Sequence, residues 1–353
     1  MGRACAVNIS ALLLMRVCGS LLALGLMSSG ATPDDYPVAA PRPVVTLPLG
    51  LPPFPVRNND PALVAYGAFL FGSQLLSSDR TIACVSCHVP ALGFSGASPT
   101  VIGVRAQQGR RHAPPIFNLY LGKRFMLDGR AESLADQVSM PIESPTEMDA
   151  DWPAVLARLE PLPETRSFLQ TRSQQSLDKT LVVQSLAAYV RTLVSGGSPF
   201  DRFYYGGDEQ AISAEAKEGL LLFVRKGRCS GCHLITGYAA PLTDGSFHAI
   251  GIGVDNGAYR DAGRAAVTGK DSDRGAFKTP TLRNVAERRY FMHDGSMSSL
   301  REVIAYYNKG GNRDAPNVDG RIRPLFLTEP EIDAMIAFLE TLSAPVASYR
   351  AAP

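Results

Sequence analysis

Apolar residues recur with helical spacing in five separate stretches of the chain. At the start of the last stretch, Thr328 and Glu331 have the spacing of a capping box, which marks the first turn of a helix. We therefore expect a mostly α-helical fold with little β-structure. The predicted helices are Pro61–Leu76, Ala131–Met140, Leu177–Val194, Ser298–Tyr307 and Glu329–Leu342.

Proline and glycine divide the chain into regions. Residues 32–59 contain eight prolines and are predicted to form an extended arm or linker rather than a packed element. The loop at 195–199 should end a helical region, so we place a domain boundary between residues 60–200 and residues 201–353. Residues 237–275 are rich in Gly, Asp and Thr and are predicted to form a long covering loop.

The first 31 residues have the pattern of an export signal. Arg3 precedes an apolar run from Ala11 to Met27, and small residues follow up to Ala31, near which we expect cleavage. A membrane anchor is the alternative, but Arg16 interrupts the run and leaves it short for a span. We therefore expect an exported protein with no stable membrane span in its mature chain.

A C-x-x-C-H motif occurs twice in the sequence. Its two thiols can add to the vinyl groups of one haem and the adjacent imidazole can bind the iron, so the motif is typical of c-type haem attachment. The alternative is a zinc-binding or redox C-x-x-C that happens to precede a histidine, and the second copy weakens it. The predicted attachment residues are Cys84, Cys87, Cys229 and Cys232, and the predicted iron ligands are His88 and His233.

The motifs lie in an internal repeat. Gly67–Phe71 and Gly219–Phe223 are similar, and each precedes its C-x-x-C-H motif by a short interval. This predicts two cytochrome-c-like helical domains, each with one covalently attached haem. Since covalent haem attachment takes place outside the cytoplasm, we expect the protein in the periplasm.

Charge gives no indication of a nucleic-acid or membrane partner. When Arg3 and Arg16 leave with the signal, 33 basic residues remain against 33 acidic ones, and the sequence has no basic block. The composition therefore excludes a strongly electrostatic binding function.

Beyond the two haem motifs, the sequence resembles the bacterial di-haem cytochrome c peroxidase family, which includes MauG. The resemblance covers roughly residues 60–345. It depends on Asp128-Gly-Arg130 with Gln137, Pro141 and Glu147, on Phe277–Asn284, and on His293–Ser296. The resemblance implies one haem that is open to peroxide and a second, six-coordinate haem that handles electrons.

By motif position, the resemblance assigns the open haem to His88. Gln137 and Glu147 match polar residues over the open face, and Pro141 matches the proline that shapes the pocket. Cleavage of an O–O bond needs a base that takes a proton from one oxygen and returns it to the other, and Glu147 can do this. The alternative for Glu147 is a solvated surface acid.

The sixth ligand of the second haem distinguishes two kinds of enzyme in this family. Donor-dependent peroxidases use Met there, and MauG uses Tyr, which matches Tyr307 here. Because a phenolate stabilises oxidised iron, the resemblance implies a store for oxidising equivalents, as in the bis-Fe(IV) state of MauG. The rival ligands are Tyr306, Met292 and Met297, and the predicted propionate partners are Arg130 and Arg283.

Three departures from the family are visible. Leu127 replaces the usual inter-haem tryptophan, and the only tryptophan, Trp152, lies in another segment. His112 and the residues 288–290 replace those that bind an inter-haem calcium, which leaves a calcium site open to question. No histidine lies between His88 and His112 to close the first haem, which favours a permanently open site.

These features predict a periplasmic MauG-like enzyme that uses hydrogen peroxide to oxidise a Trp or Tyr side chain of a partner protein. The tail from Asn308 to Pro324 resembles the MbnH-type enzymes of copper-handling operons, in which the implied reaction converts tryptophan to kynurenine. The alternative is a cytochrome c peroxidase that reduces peroxide with electrons from a small cytochrome or cupredoxin. A non-catalytic electron carrier is a third reading, which would leave Gln137 and Glu147 unexplained.

Overall fold

The computed structural model describes residues 47–52 and 60–348, which form a mostly helical structure with three two-stranded antiparallel sheets. The predicted signal segment and most of the predicted arm lie outside these residues. The helices are α1 (Pro61–Gly72), α2 (Cys84–Cys87), α3 (Leu134–Glu143), α4 (Trp152–Leu159), α5 (Pro163–Thr171), α6 (Lys179–Thr192), α7 (Pro199–Tyr204), α8 (Ala214–Val224), α9 (Ala265–Thr268), α10 (Leu300–Asn308) and α11 (Glu329–Glu340). The sheets pair β1 (Leu193–Val194) with β6 (Ala347–Ser348), β2 (Phe247–Ala249) with β5 (Ala276–Lys278), and β3 (Val254–Asp255) with β4 (Ala258–Tyr259).

All five predicted helices are present, with shifted ends that local capping explains. Helix α1 begins after Asp60, whose carboxylate accepts from Ala62 N at 2.9 Å, and a separate 3₁₀ turn follows it. Helix α3 starts three residues later than predicted because Ser133 and Asp136 form a reciprocal capping box. The capping box predicted for α11 is confirmed.

Three helices that were not predicted from the sequence have proline in their first turn. Helices α4, α5 and α7 each have proline in the first two positions, where its missing N–H costs nothing. Pro199, which was expected to end a helical region, instead begins α7 behind the side-chain cap of Ser198. The predicted loop at 237–275 likewise contains β2, β3, β4 and α9.

Two hydrophobic cores lie on either side of the 193–200 segment. The first is formed by residues between Tyr66 and Leu193, and the second by residues between Phe200 and Leu342. Both belong to one compact unit, so the domain boundary at 200/201 stays a prediction. No helix in the described part of the chain has the length and apolar character needed to cross a bilayer.

The two glycines of the internal repeat mark the closest helix crossing in each core. A Cβ on Gly67 in α1 would lie 1.9 Å from the carbonyl oxygen of Ser185 in α6. A Cβ on Gly219 in α8 would lie 1.9 Å from the carbonyl oxygen of Ala334 in α11. The repeat seen in the sequence therefore corresponds to one packing geometry that is used twice, in which only glycine fits at the crossing.

Residues 47–52 are packed against the body of the protein, in contrast to the extended arm that their prolines predicted. Gly50 and Leu51 are buried, and Leu49 O accepts from Gly197 N at 2.9 Å. The carbonyl oxygen of Gly50 accepts from Ala240 N at 2.9 Å and from the Arg283 guanidinium at 2.8 Å. Proline content predicted the irregular backbone but not these hydrogen bonds, whose donors lie far along the chain.

Candidate haem sites

The first C-x-x-C-H motif forms a single helical turn. Helix α2 holds Cys84 and Cys87 on one turn, and His88 follows as its C-cap, with His88 N donating to Cys84 O at 2.9 Å. The second motif has the same local bond, from His233 N to Cys229 O at 2.9 Å. All four described cysteines are free thiols, so both pairs are chemically available for attachment.

The two motif histidines are oriented in the same way. His88 Nδ1 lies 3.2 Å from Phe94 O, and His233 Nδ1 lies 3.0 Å from Leu242 O. Both carbonyl residues have a φ of 54°, a left-handed conformation that is unusual for large side chains. A proton on Nδ1 leaves Nε2 free as an iron ligand.

Burial keeps both imidazoles neutral. It lowers the pKa of His88 and of His233 to about 4 in each case, and the backbone carbonyls offset only part of that shift. A neutral imidazole with one committed nitrogen is the form that binds a metal ion. The structure thus gives each motif a histidine prepared for ligation.

A pocket opens beside the first motif. The residues predicted for the peroxide site, Gln137, Pro141 and Glu147, line it. The motif residues Cys84, Cys87 and His88 line it too. The rest of the wall is largely apolar and includes Phe71, Ile82, Val101, Ile102, Ile116, Val138, Ile142, Met148, Leu186 and Val190.

Helix α3 provides one side of this pocket. Gln137 and Pro141 are four residues apart, so they lie on the same face of the helix. Pro141 has no N–H to donate within the helix, and its carbonyl accepts from Met148 N at 3.1 Å in the returning loop. That return places Glu147 back at the pocket wall, ten residues after Gln137.

Glu147 has the electrostatics of a proton carrier rather than of a solvated acid. Burial raises its pKa, and the charge of Arg130 and a hydrogen bond with Ser144 offset only part of the shift. The same carboxylate is close enough to Cys87 to raise the pKa of that thiol, which burial brings to about 11. Glu147 therefore faces the motif, and a raised pKa suits a group that must both take and return a proton.

Tyr307, the predicted sixth ligand, lies near the cysteines of the second motif. It packs against the second core, and burial, together with the nearby Cys229, Tyr306 and Cys232, raises its pKa. Its hydroxyl makes no hydrogen bond to any residue that the structure describes. A cation at the phenol oxygen would favour the phenolate, which is the role that a ferric ion would take.

The two arginines predicted as propionate partners have different surroundings. Arg130 Nη1 donates to Asp128 at 2.8 Å, and its side chain is 37% exposed, so it retains free donors near Glu147. Arg283 is fully buried and forms a two-pronged ion pair with Asp201, at 2.7 and 3.0 Å. It also donates to Gly50 O and Ala240 O. These contacts favour a structural role for Arg283, because its guanidinium N–H groups already donate to Asp201 and to two backbone carbonyls.

Sequence reasoning missed a charged network beside Cys232. His248 lies between Asp244 and Asp319, with 2.9 Å from each ring nitrogen to a carboxylate oxygen. Arg321 donates to Asp319 at 2.7 Å and to Gly231 O at 3.3 Å. The thiol of Cys232 and the ligand atoms of Asp244 and His248 lie within 4.8 Å of one another. This set could hold a metal ion only if the thiol were not attached to haem. Asp319 lies 71 residues after His248, so their pairing could not be predicted from the sequence.

The positions that depart from the family pattern are also located. Leu127 O accepts from Lys278 N at 2.8 Å, so this backbone joins the sheet of the second half. Trp152 lies at the far end of α3, where its indole N–H donates to Glu143 and Lys179 lies over its ring. His112 is buried, with Nδ1 at 3.1 Å from Ser98 O.

Comparison with known proteins defines the family. Residues 61–210 match the model described as di-haem cytochrome c peroxidase. The methylamine utilization protein MauG of Methylorubrum extorquens is 36% identical over 340 residues, covering 95% of this chain and 94% of the relative. The cytochrome-c peroxidase IdrP2 of Denitromonas iodatirespirans is 32% identical, covering 83% of this chain and 84% of the relative.

Solved structures agree with this. A MauG-like protein associated with microbial copper homeostasis is similar with a TM-score of 0.74 and 26% identity, covering 89% of this chain and 96% of that one. The diheme peroxidase BthA of Burkholderia thailandensis shares the fold, with a TM-score of 0.70 and 24% identity over 85% of this chain and 95% of its own. The chain belongs to the di-haem cytochrome c peroxidase and MauG family, and it is an oxidoreductase enzyme.

Family membership implies haem as the cofactor, and the described residues fit that group. Each motif presents two free thiols and a neutral imidazole with its Nδ1 committed to a carbonyl. The pocket at the first motif is largely apolar, as a porphyrin face requires. At the second motif, the Tyr307 phenol lies close to the two thiols and makes no hydrogen bond to a described residue.

Proposed function

We propose that the protein carries two covalently attached c-type haems and uses hydrogen peroxide to oxidise a Trp or Tyr side chain of a partner protein. The arrangement of Tyr307 carries this proposal, because a tyrosine at the second motif suits the storage of oxidising equivalents. The extensive similarity to MauG supports it. The same reasoning places the mature protein in the periplasm.

In this proposal the first haem is held by Cys84, Cys87 and His88. The second would be held by the corresponding residues Cys229, Cys232 and His233, with Tyr307 as a further ligand to its iron. When bound, the haems supply the iron at which peroxide is cleaved and hold the oxidising equivalents that are later used on the partner.

Glu147 moves the proton that peroxide cleavage requires. Its carboxylate would take a proton from one oxygen of the peroxide and return it to the other oxygen, which leaves as water when the O–O bond breaks. The raised pKa of Glu147 aids the first half of this transfer, because it makes the carboxylate a stronger base than that of an ordinary glutamate. Gln137, on the adjacent face of α3, orients the peroxide or the departing water, and Pro141 keeps that face free of a competing N–H.

Tyr307 favours a partner-oxidising enzyme over a donor-dependent peroxidase. A soft thioether would raise the reduction potential of the second haem, so that the haem accepts electrons from a small cytochrome. A hard phenolate has the opposite effect and stabilises oxidised iron. Electrons would then be drawn from an oxidisable side chain of the partner rather than from a circulating carrier.

The copper-associated neighbour supports a finer version of the proposal. The Asn308–Pro324 segment resembles MbnH-type enzymes, so the partner would be a copper-handling protein and its tryptophan would be converted to kynurenine. In the structure this segment follows Tyr307 directly, and Asn308 Nδ2 donates to Leu327 O at 3.0 Å. The segment is thus attached to the helix that carries the proposed ligand.

Electron paramagnetic resonance of the ferric protein tests the proposal. One high-spin and one low-spin haem are expected, and peroxide should abolish both signals with no electron donor added. Rapid peroxide consumption that depends on a reduced small cytochrome or cupredoxin would instead support the donor-dependent peroxidase. Two low-spin haems that do not respond to peroxide would identify an electron carrier.

A further inference from the structure

Arg288 is a deeply set guanidinium without a carboxylate partner. Within the described residues it donates only to two backbone carbonyls, Thr281 O at 2.8 Å and Arg283 O at 2.6 Å, both from Nη2. Its Nε is shielded from solvent and has no partner among those residues. The adjacent acid, Glu287, binds Asn284 Nδ2 with both carboxylate oxygens at 3.0 Å. The charge of Glu287 therefore acts on Arg288, but the two side chains form no ion pair within the described residues.

This charge lies beside the second haem motif. The carbonyls that hold Arg288 flank Leu282, whose N–H donates to Leu242 O at 3.2 Å. That oxygen is the one that orients His233, at 3.0 Å from its Nδ1. Arg288 is thus hydrogen-bonded to the backbone segment that contacts Leu242, whose carbonyl orients His233, the proposed iron ligand. Its positive charge is among the influences that lower the pKa of His233.

A second buried nitrogen without a partner lies on the side that faces the first motif. His112 is 7% exposed, and its Nε2 is buried without a partner among the described residues. The His112 ring meets the ring of Tyr290, two residues after Arg288, with 6.3 Å between centroids. The Arg288 charge also acts on His112. Two unsatisfied nitrogen groups therefore occupy the region between the two motifs.

A buried guanidinium without an anion is unfavourable, because it loses hydration and gains no ion pair. Such a group is retained where an anionic ligand completes it. Each haem carries two propionate carboxylates, whose geometry matches the fork of an arginine. Arg283 cannot serve in the same way, since Asp201 already fills its fork.

We propose that Arg288, rather than Arg283, is the arginine that pairs with a propionate of the haem on Cys229 and Cys232. The inference requires haem at the second motif but does not depend on which substrate the enzyme oxidises. It assigns to Arg288 a positioning and electrostatic role. The proposed Arg288 site binds a haem carboxylate and requires no cation between the two haems.

The test is the reduction potential of the low-spin haem in the holoprotein, measured for Arg288→Gln, Arg288→Lys and the control Arg289→Gln. Arg289 is exposed, so its substitution removes the same charge one residue along the chain but in solvent. Arg288→Gln should disfavour reduction of that haem at least tenfold, which corresponds to about 59 mV for a one-electron couple. Arg288→Lys should recover much of the shift, and Arg289→Gln should produce almost none.

An unchanged potential in Arg288→Gln, or an equal shift in Arg289→Gln, would overturn the assignment. A crystal structure of the wild-type holoprotein provides a check that does not depend on the stability of any variant. A propionate oxygen within hydrogen-bond distance of the Arg288 guanidinium supports the assignment, and a propionate held by Arg283 refutes it. Neither readout requires peroxide turnover, so a failure here is distinct from a failure of the proposed function.

Discussion

Tyr306 and Tyr307 are neighbours on α10, yet their hydroxyls have opposite environments. The Tyr306 hydroxyl donates to Ile250 O at 2.6 Å and accepts from Asn312 N at 3.0 Å. The Tyr307 hydroxyl has no hydrogen-bond partner among the described residues, and its ring lies near the thiols of Cys229 and Cys232. Tyr306 therefore hydrogen-bonds α10 to the loops that contain Ile250 and Asn312. The Tyr307 hydroxyl is left available to a ligand.

This contrast gives the first prediction. Tyr307→Phe removes the phenol oxygen from the second haem, so we expect its low-spin ferric signal to convert to a high-spin one in electron paramagnetic resonance. The matched control is Tyr306→Phe. It breaks two buried hydrogen bonds and should lower the free energy of unfolding by about 1–3 kcal/mol, while the low-spin signal stays unchanged. A low-spin signal that survives Tyr307→Phe would exclude Tyr307 as the ligand.

The second prediction concerns Glu147. Glu147→Gln removes the proton carrier from the first pocket, and we expect the rate of reaction with peroxide in stopped-flow absorbance to fall by about 10²–10⁴-fold. Glu143→Gln, at the exposed end of the same region, should leave the rate unchanged. Equal rates for the wild type and Glu147→Gln would assign the proton transfer to another group.

The same residue predicts a pH dependence. Since burial raises the pKa of Glu147, its carboxylate is protonated at a higher pH than an ordinary glutamate. The proton-accepting form is lost as the pH falls through that raised pKa, so the peroxide rate should decline on the acid side at a pH above the usual range for a carboxylic acid. Glu147→Gln should abolish this acid limb. A limb that persists in the variant would belong to a different group.

The glycines of the repeat give the third prediction. Gly67→Ala and Gly219→Ala each place a Cβ 1.9 Å from a carbonyl oxygen, so the helices must separate. We expect each substitution to lower the free energy of unfolding by at least about 2–3 kcal/mol in denaturant titration, as overpacking does. Gly72→Ala in α1 has open space around it and should be neutral or stabilising, by up to about 1 kcal/mol. Three equal effects would contradict the packing argument.

The fourth prediction isolates the buried ion pair. Asp201→Asn leaves the fully buried Arg283 without its counter-charge, which should cost about 3–5 kcal/mol of unfolding free energy. Asp208→Asn breaks only a surface pair with Arg202 and should change the stability by less than about 0.5 kcal/mol. A small effect of Asp201→Asn on thermal unfolding would show that Arg283 finds another anion, such as a propionate.

Much of the fold could be predicted from local sequence. The haem motifs are contiguous, so the arrangement of Cys84 and His88 follows from one helical turn. The helical class followed from apolar spacing, and the glycines of the repeat indicated equivalent positions before their contacts were known. The prediction for residues 199–204 was wrong, because proline can either end a helix or begin one, and Pro199 begins α7.

The roles of buried charges could not be predicted in this way. Arg283 and Arg288 lie five residues apart, and sequence alone gives no means of telling which one is already neutralised. The difference depends on Asp201, 82 residues before Arg283. The Asp244, His248 and Asp319 network depends in the same way on a loop closure of 71 residues. Electrostatic pairing of this kind is a property of the assembled tertiary structure.

The hydrogen bonds of the Gly50 carbonyl bear on which fragments of the chain can fold. It accepts from Ala240 N and from Arg283, so a segment that precedes the first core supplies an acceptor inside the second. Gly50 also has a φ of 81°, and a Cβ there would lie 1.8 Å from Asp201 Oδ1, so no other residue fits. A fragment that starts at residue 201 would lack this acceptor and expose the arginine it serves. The two halves therefore fold as one chain that passes twice through the second core. A fragment that contains only the second half should be unstable unless residues 47–52 are supplied.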